Sequence, residues 1–383
     1  MREVEHPLIS PAIGTRRTLV SQHFGVAGAT PKVVLQASLH ADELPGMLVL
    51  HHLRQLLQQA EAQGLIEGEV VLVPMANPIG LSQTVLHSQL GRFELASAEN
   101  FNRHYPPFAD WLMEEGHAVA PRLGADPQAN VATIRAAMHA ALDRHPPVTE
   151  LDSLRHTLMH LACDADVALD LHCDFEASMH LYMEPPCADT LLPLAALLGA
   201  RAVLVAEGSG GRCYDEALSG VWWQLRQQLA ARHGEAFVAA HPFGQGCAST
   251  TVELRGQTDV RHDFAQADAA ALMAYLVWLG AVKGDAPAIP ALPCQPTPLA
   301  GTEVLQAPHS GVLTYLKQPG DYIAAGDVVA EVIHPITGQV SPVVATVAGV
   351  LYARHIVRWA TTGLDVGKVS GTRPLRSGML LSA

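Results

Sequence analysis

Positive charge is scarce in this chain of 383 residues: 24 Lys and Arg stand against 37 Asp and Glu, a formal net charge of −13. That balance argues against nucleic-acid or anionic-membrane binding, which needs clustered Lys and Arg. An anionic small molecule is still admissible, because a local pair of arginines overrides the global field. Long apolar runs are missing too. The longest candidate, around residues 272–282, is too short to span a bilayer and reads as a packed helix. The opening, MREVEHPLIS, lacks a basic stretch followed by an apolar one, so no signal peptide is expected. Six cysteines, at positions 163, 173, 187, 213, 247 and 294, show no CxxC spacing. In a chain of this size the pattern favours reduced, mostly buried thiols in a cytoplasmic protein over a disulfide framework. Internal repeats are absent.

What is present is a well-buried globular composition, 49% hydrophobic with only 16% charged residues. The length fits one large domain plus a smaller one. Short apolar β-type runs alternate with longer helical stretches through the first two-thirds, the pattern of an α/β sheet. Residues 32–39 (KVVLQASL), 69–74 (EVVLVP), 166–172 (DVALDLH), 202–205 and 250–254 read as strands. Residues 44–60 carry Leu50, Leu53, Leu56 and Leu57 at helical spacing. Segments 128–141, 153–163 and 265–282 read as further helices. The fold class expected is α/β, a mixed, mostly parallel sheet flanked by helices. Boundaries are set at 1–285 for this domain and 286–298 for a proline-rich linker (within GDAPAIPALPCQPTP). A small all-β module with glycine turns is expected over 299–383.

Four segments carry candidate chemistry. In His40-Ala41-Asp42-Glu43 a strand gives way to a helix, so a bend brings two side chains three apart toward one point beyond the strand's carboxyl end, where α/β sheets place ligands. One imidazole and one carboxylate form part of a zinc shell, which for hydrolysis needs a third ligand and an open position. Taken alone, the pair reads equally as surface or capping residues in a chain with 20 histidines. Asp170-Leu171-His172-Cys173-Asp174 closes another strand. His172 offers a third ligand, with Asp170 or Asp174 accepting its other N–H, or else it is a buried strand histidine paired to an aspartate. His180 competes as a ligand but reads as an ordinary strand residue. Cys173 points to the opposite face from His172.

In Thr250-Thr251-Val252-Glu253-Leu254-Arg255-Gly256 an acid sits inside an apolar strand, which is costly without a task or a partner. Glu253 is either a general base facing a water or half of an ion pair with an arginine. Last, Arg92 and the run Asn100-Phe101-Asn102-Arg103 lie in a loop-like stretch. There arginine's planar fork would bind a carboxylate or stabilise an oxyanion.

In order, HADE at 40–43, NFNR at 100–103, DLHCD at 170–174 and TVELRG at 251–256, supported by Ala76-Asn77-Pro78 and Gly80, resemble the succinylglutamate desuccinylase/aspartoacylase family within the wider zinc carboxypeptidase group. The resemblance covers roughly residues 30–280. It implies one Zn2+ per chain held by His40, Glu43 and His172, with Glu253 as general acid/base. It further implies Asn102 and Arg103 on the substrate carboxylate and Arg92 on the scissile carbonyl. Tyr214, in a glycine-rich loop at 208–220, is the candidate for the tyrosine that peptide-cleaving relatives place over the substrate. The β module resembles biotinyl/lipoyl domains, yet residues 333–338 (IHPITG), where a carrier has its modifiable lysine, contain none, so it reads as unmodified. A helical insertion at 110–161 sets the chain apart from compact members.

The function so implied is removal of an acyl group from a small N-acyl amino acid or a related compound by metal-activated water. A metallocarboxypeptidase on the same scaffold and a non-catalytic small-molecule binder are the rivals. The partner expected is the small substrate, without nucleic acid or membrane; assembly into a homo-oligomer stays open.

Overall fold

A computed structural model describes residues 1–381. The larger, N-terminal part is built on a nine-stranded sheet. Its strands begin with β1 (Arg2–Pro7), β2 (Thr18–Gly25), β3 (Lys32–Ala37) and β4 (Glu69–Val73). A small hairpin, β5 (Thr84–Val85) with β6 (Ser88–Gln89), stands apart. Then come β7 (Val167–Asp174), β8 (Glu176–Ala177), β9 (His180–Met183), β10 (Ala202–Val205), β11 (Ala248–Gly256) and β12 (Thr297–Pro298). The sheet order is β1-β2-β4-β3-β7-β11-β9-β10-β12. Pairs β3·β4, β3·β7, β7·β11, β9·β10 and β10·β12 are parallel, while β1·β2, β2·β4 and β9·β11 are antiparallel. This is the mixed, mostly parallel sheet expected.

Near-continuous apolar runs such as EVVLV in β4 form strands because both faces of the sheet are covered. On one face, Val33, Leu35 and Ala37 of β3 join Leu169 and Leu171 of β7 and Val252 and Leu254 of β11. They pack against α1 (Pro45–Ala62), which turns Val49, Leu50, Leu53 and Leu57 inward. Short helices α2 (Pro78–Leu81) and α3 (Phe108–Trp111) follow. The other face, with Val34, Val71 and Ala168, is covered by α4 (Pro127–Arg144) and α5 (Glu150–Ala162). After α6 (Ala188–Leu197), α7 (Tyr214–His233) joins this second layer; α8 (Glu235–Ala240) and α9 (His262–Trp278) complete the set. Among the described residues, no helix is long and apolar enough to cross a membrane.

Two parities follow from strand alternation. Odd residues of β7 enter the first apolar layer. Even residues Asp170, His172 and Asp174 face the second and form a polar row near the strand's carboxyl end. The register pairs Gln36 with Asp170, Thr251 with Asp170 and Glu253 with His172, so these polar side chains share one face. The chain leaves β3 through α1 toward β4 on one side, while β7 lies on the other. The crevice beyond the β3 and β7 ends is therefore a topological switch point.

The chain after β12 forms two antiparallel sheets. One contains Thr302–Gln306, Tyr322–Ile323, Gly349–Arg354 and Asp365–Ser370; the other contains Gly311–Tyr315, Val328–Ile333, Val340–Val344 and Trp359–Ala360. The first of these sheets is extended by β8 of the N-terminal part, with Glu176 opposite Arg354 and Ala177 opposite Ala353. Glu176 also accepts ion-paired hydrogen bonds from Arg354 Nε and Arg358 Nη2, each 2.6 Å long. The end of β7 is thus fastened to the C-terminal sheets.

Fully buried Leu53 on α1 gives a direct test of this layering. Leu53→Ala should lose 2–5 kcal/mol of stability in denaturant unfolding, and Leu56→Ala, at a partly buried position, clearly less.

Candidate active site

The site begins where β3 stops. Ser38 takes a left-handed backbone (φ 58°) and its hydroxyl donates to the Glu43 carbonyl at 2.8 Å, folding the HADE segment over the sheet edge. Asn77, which precedes α2, donates to the Leu39 carbonyl at 2.8 Å and holds that bend. Gly91 lies so close that a Cβ there would stand 2.1 Å from the Asp42 nitrogen. Only glycine permits the approach, and the approach carries Arg92 onto the bend.

Glu43, 2% exposed, is the centre. Its Oε1 lies 3.0 Å from His40 Nδ1 and accepts from Arg92 Nη2 at 3.2 Å. Its Oε2 lies 2.8 Å from His172 Nδ1 and accepts from the Cys173 backbone N–H at 3.1 Å. Ligand atoms of His40, Glu43 and His172 all fall within 4.8 Å of one another.

The far nitrogens decide whether this set suits a metal. Asn100 Oδ1 accepts the Asn102 N–H at 2.8 Å, so it is the amide oxygen that faces His40 Nε2 at 2.9 Å. His40 Nε2 must then carry the hydrogen, leaving a lone pair on Nδ1. His172 Nε2 likewise donates to Asp170 Oδ2 at 2.7 Å, and Gln36 Nε2 steadies Asp170 at 3.0 Å. Both rings thus present Nδ1 toward Glu43 while acceptors fix their orientation, the arrangement found behind metal-ligating histidines. Two neutral-nitrogen donors and one carboxylate fit a divalent cation such as zinc.

The electrostatics agree. Burial, reinforced by Arg92, lowers His40 to about 4, so its imidazole is neutral. Against the cost of burial, His40 and His172 hold Glu43 well below the usual carboxylate range. Burial also opposes charge on His172, but Asp170 and Glu43 raise it well above the ordinary value. A proton there occupies the position between imidazole and carboxylate that a cation would take.

Glu253 lines the same cleft, and its buried Oε2 has no hydrogen-bond partner. Burial and the nearby Glu43 raise it to about 8. The alternative of an ion pair with arginine is not what the chain adopts: Arg255 sits past a register shift in β11, pairs with Asp268 and stacks on Phe264. Carboxylates of Glu43, Asp174 and Glu253 keep Arg92 charged despite its burial.

Asn102 and Arg103 reach the cleft, but each also has structural work. Asn102 Oδ1 accepts the Tyr214 N–H at 2.8 Å at the start of α7. Arg103 Nη1 donates to the Asn102 carbonyl at 2.7 Å, and a Cβ on Gly211 would meet its Cδ at 2.5 Å. Tyr214 departs from expectation. It opens a 20-residue helix and does not sit in a glycine-rich loop; its ring is fully buried against Tyr105 and does not line the cleft. Glycines at 208, 210 and 211 hide in the sequence a helix start at 214, and they make the tyrosine read as a loop residue. His180 is buried among Tyr182 and Tyr352, outside the three-ligand cluster.

Several residues around the cleft carry no local motif. Asn100 appeared only as part of the arginine loop. Arg155 of α5 holds that loop by donating to Glu99 Oε2 at 2.9 Å and to the Asn100 carbonyl at 3.0 Å, so the helical insertion supports the site from behind. Lys368, from the C-terminal sheets, enters the cleft and pairs with Asp174 at 2.6 Å. Glu184, Asp215 and Glu216 also line the cleft.

Residues 29–123, which contain HADE, Arg92 and NFNR, match the family model described as the succinylglutamate desuccinylase/aspartoacylase catalytic domain. No curated protein matches the chain. Among solved structures, it is similar to a succinylglutamate desuccinylase/aspartoacylase family protein from Shewanella amazonensis SB2B. That likeness has 27% identity, a TM-score of 0.80, and covers 97% of this chain and 98% of the other. A protein of the same description from Shewanella frigidimarina NCIMB 400 is 22% identical, with a TM-score of 0.79 and 97% of each chain covered. The product-bound ectoine utilization protein EutE (DoeB) from Ruegeria pomeroyi shares the fold at 17% identity and a TM-score of 0.65, covering 97% of this chain and 94% of that one. The chain is thus similar to the catalytic domain of that family over its first ligand pair, and along nearly its whole length it shares the fold of solved proteins described as family members.

Proposed function

We propose that this protein is a zinc-dependent amidohydrolase that removes the acyl group from a small N-acyl amino acid or a close relative. The observation that carries the reading is the Glu253 carboxyl group, its Oε2 without a hydrogen-bond partner, beside a His–Glu–His cluster and on the same face of the sheet as His172. The match of residues 29–123 to the family model and the likeness to a solved family protein support hydrolytic chemistry of this kind.

One zinc ion held by His40, Glu43 and His172 would supply Lewis acidity, polarising an oxygen and lowering the pKa of a water to about 7. The protein's own groups do the rest. Glu253 takes a proton from the attacking water, whose oxygen adds to the amide carbonyl carbon. Arg92 donates to the carbonyl oxygen as negative charge builds on it. Glu253 then hands its proton to the departing nitrogen as the C–N bond breaks, leaving a carboxylic acid and an amine. Arg103, with Asn102 behind it, meets the carboxylate of the amino acid and fixes the amide over Glu253. Tyr214 has no part in this scheme, since its ring is sealed in the core.

Glu253→Gln should keep its zinc, measured by elemental analysis, yet lose turnover of N-acetyl, N-succinyl and N-formyl amino acids by at least 100-fold. Retained activity would remove the assigned role. His40→Ala should come through chelator-free purification with little zinc, whereas a full complement would refute the ligand set. Asn100→Ala should weaken zinc binding about 10- to 100-fold in competition with a chromophoric chelator, through loss of the hydrogen bond that orients His40.

A further inference from the structure

Side chains of both signs line the cleft, Arg92, Arg103 and Lys368 together with Glu184, Asp215 and Glu216. Lys368 is paired with Asp174 and Arg92 with Glu43. Among the described residues, none of the carboxyl groups of Glu184, Asp215 and Glu216 has a Lys, Arg or His partner within ion-pair distance.

Asp215 and Glu216 occupy the first turn of α7, where the helix dipole favours acids, and Glu216 Oε1 accepts the Ser209 N–H at 2.6 Å. Helix chemistry accounts for both. It does not account for Glu184, which follows β9 and is only 4% exposed. Glu184 Oε1 accepts the Trp223 indole N–H at 3.0 Å, while Oε2 is buried with no hydrogen-bond partner. Burial above all, with Glu216 and Asp215, pushes Glu184 up to about 8, and no cation offsets them. The Ser219 hydroxyl is already committed to the Asp215 carbonyl at 2.8 Å. Helix α7 makes room for this carboxyl group with Gly220, where a Cβ would stand 3.3 Å from Glu184 Oε1, although glycine is a poor helix former. A carboxylate buried with one oxygen idle is expensive unless a partner arrives.

The partner is not a bare metal ion. Among the described residues only His40, Glu43 and His172 bring three ligand atoms within 4.8 Å. Glu184, Asp215 and Glu216 are spread more widely, as suits an extended organic cation. We infer that Glu184, with Asp215 and Glu216, binds a positively charged nitrogen of the substrate. The substrate class is then an N-acylated amino acid carrying a second, free ammonium group. This rests on the amidohydrolase reading of the same cleft: the carboxylate meets Arg103, the amide lies over Glu253, and the ammonium reaches Glu184.

The test compares Nα-acetyl-L-ornithine with Nα-acetyl-L-norvaline, which has the same carbon chain without the ammonium, and with Nα-acetyl-L-glutamate. The full-length, zinc-loaded protein is used, with both binding by calorimetry and hydrolysis as readouts. The ornithine derivative should bind at least 10-fold more tightly than either of the others and be cleaved with a correspondingly higher kcat/KM. Glu184→Gln, of the same shape, should cut the ornithine-to-norvaline ratio at least 10-fold in both readouts, with Asp215→Asn as a second variant. A ratio near one in the unaltered protein, or a ratio untouched by both substitutions, would overturn the cation subsite. Selective binding of the ornithine derivative without hydrolysis of any compound would instead keep the subsite and remove the amidohydrolase reading.

Discussion

The cleft depends on the burial of one carboxylate. Glu43 is sunk among two imidazoles, a guanidinium and a backbone N–H, drawn from three stretches of the chain around positions 40, 92 and 172–173. A carboxylate so placed is tolerable only when all of them are present, because an unpaired buried charge costs several kcal/mol. The requirement fixes much of the local architecture. β3 and β7 must be parallel neighbours so that their carboxyl ends coincide. Ser38 must turn left-handed to swing Glu43 back, and Gly91 must lack a side chain so that Arg92 can close over the bend.

Around that centre the support runs outward in layers. Asn100 and Asp170 orient the imidazoles, and behind them Arg155 and Gln36 hold Asn100's loop and Asp170. The helices at 110–161 therefore act on the site from behind the loop, and their residues do not line the cleft. Such buried polar networks are costly when incomplete and rigid when satisfied. Glu253 is an exception within the polar row, one oxygen unpaired, as is Glu184 across the cleft. Incomplete satisfaction of this kind at a concave, polar surface is where a ligand belongs.

The C-terminal sheets are part of the site as well as an appendage to it. Their first sheet borrows β8, their arginines clasp Glu176, and Lys368 sets its ammonium on Asp174 at the end of β7. The strand that carries His172 is therefore held from both directions, by β3 and β11 within the large sheet and by the small domain at its tip.

Local pattern was enough for the framework and for the chemical cast. Alternation and helical spacing marked β3, β4, β7, β10 and β11 and most of α1, α4, α5 and α9, since each buries a face with its own period. HADE, NFNR, DLHCD and TVELRG named the cluster members, because metal and proton chemistry admits few residue types. Other features depend on distance in the chain and leave no local trace. Whether Asp170 or Asp174 supports His172 is decided by which lies toward the ring and which toward Lys368, almost two hundred residues later. The partner of Arg255 is a helix residue past a bulge, and Tyr214 is a core residue because α7 begins under it. Glu184 sits in unremarkable sequence; only the folding of α7 against the end of β9 makes it a buried acid without a counterion. Sequence sets what a side chain can do, and the packing of distant segments sets what it faces.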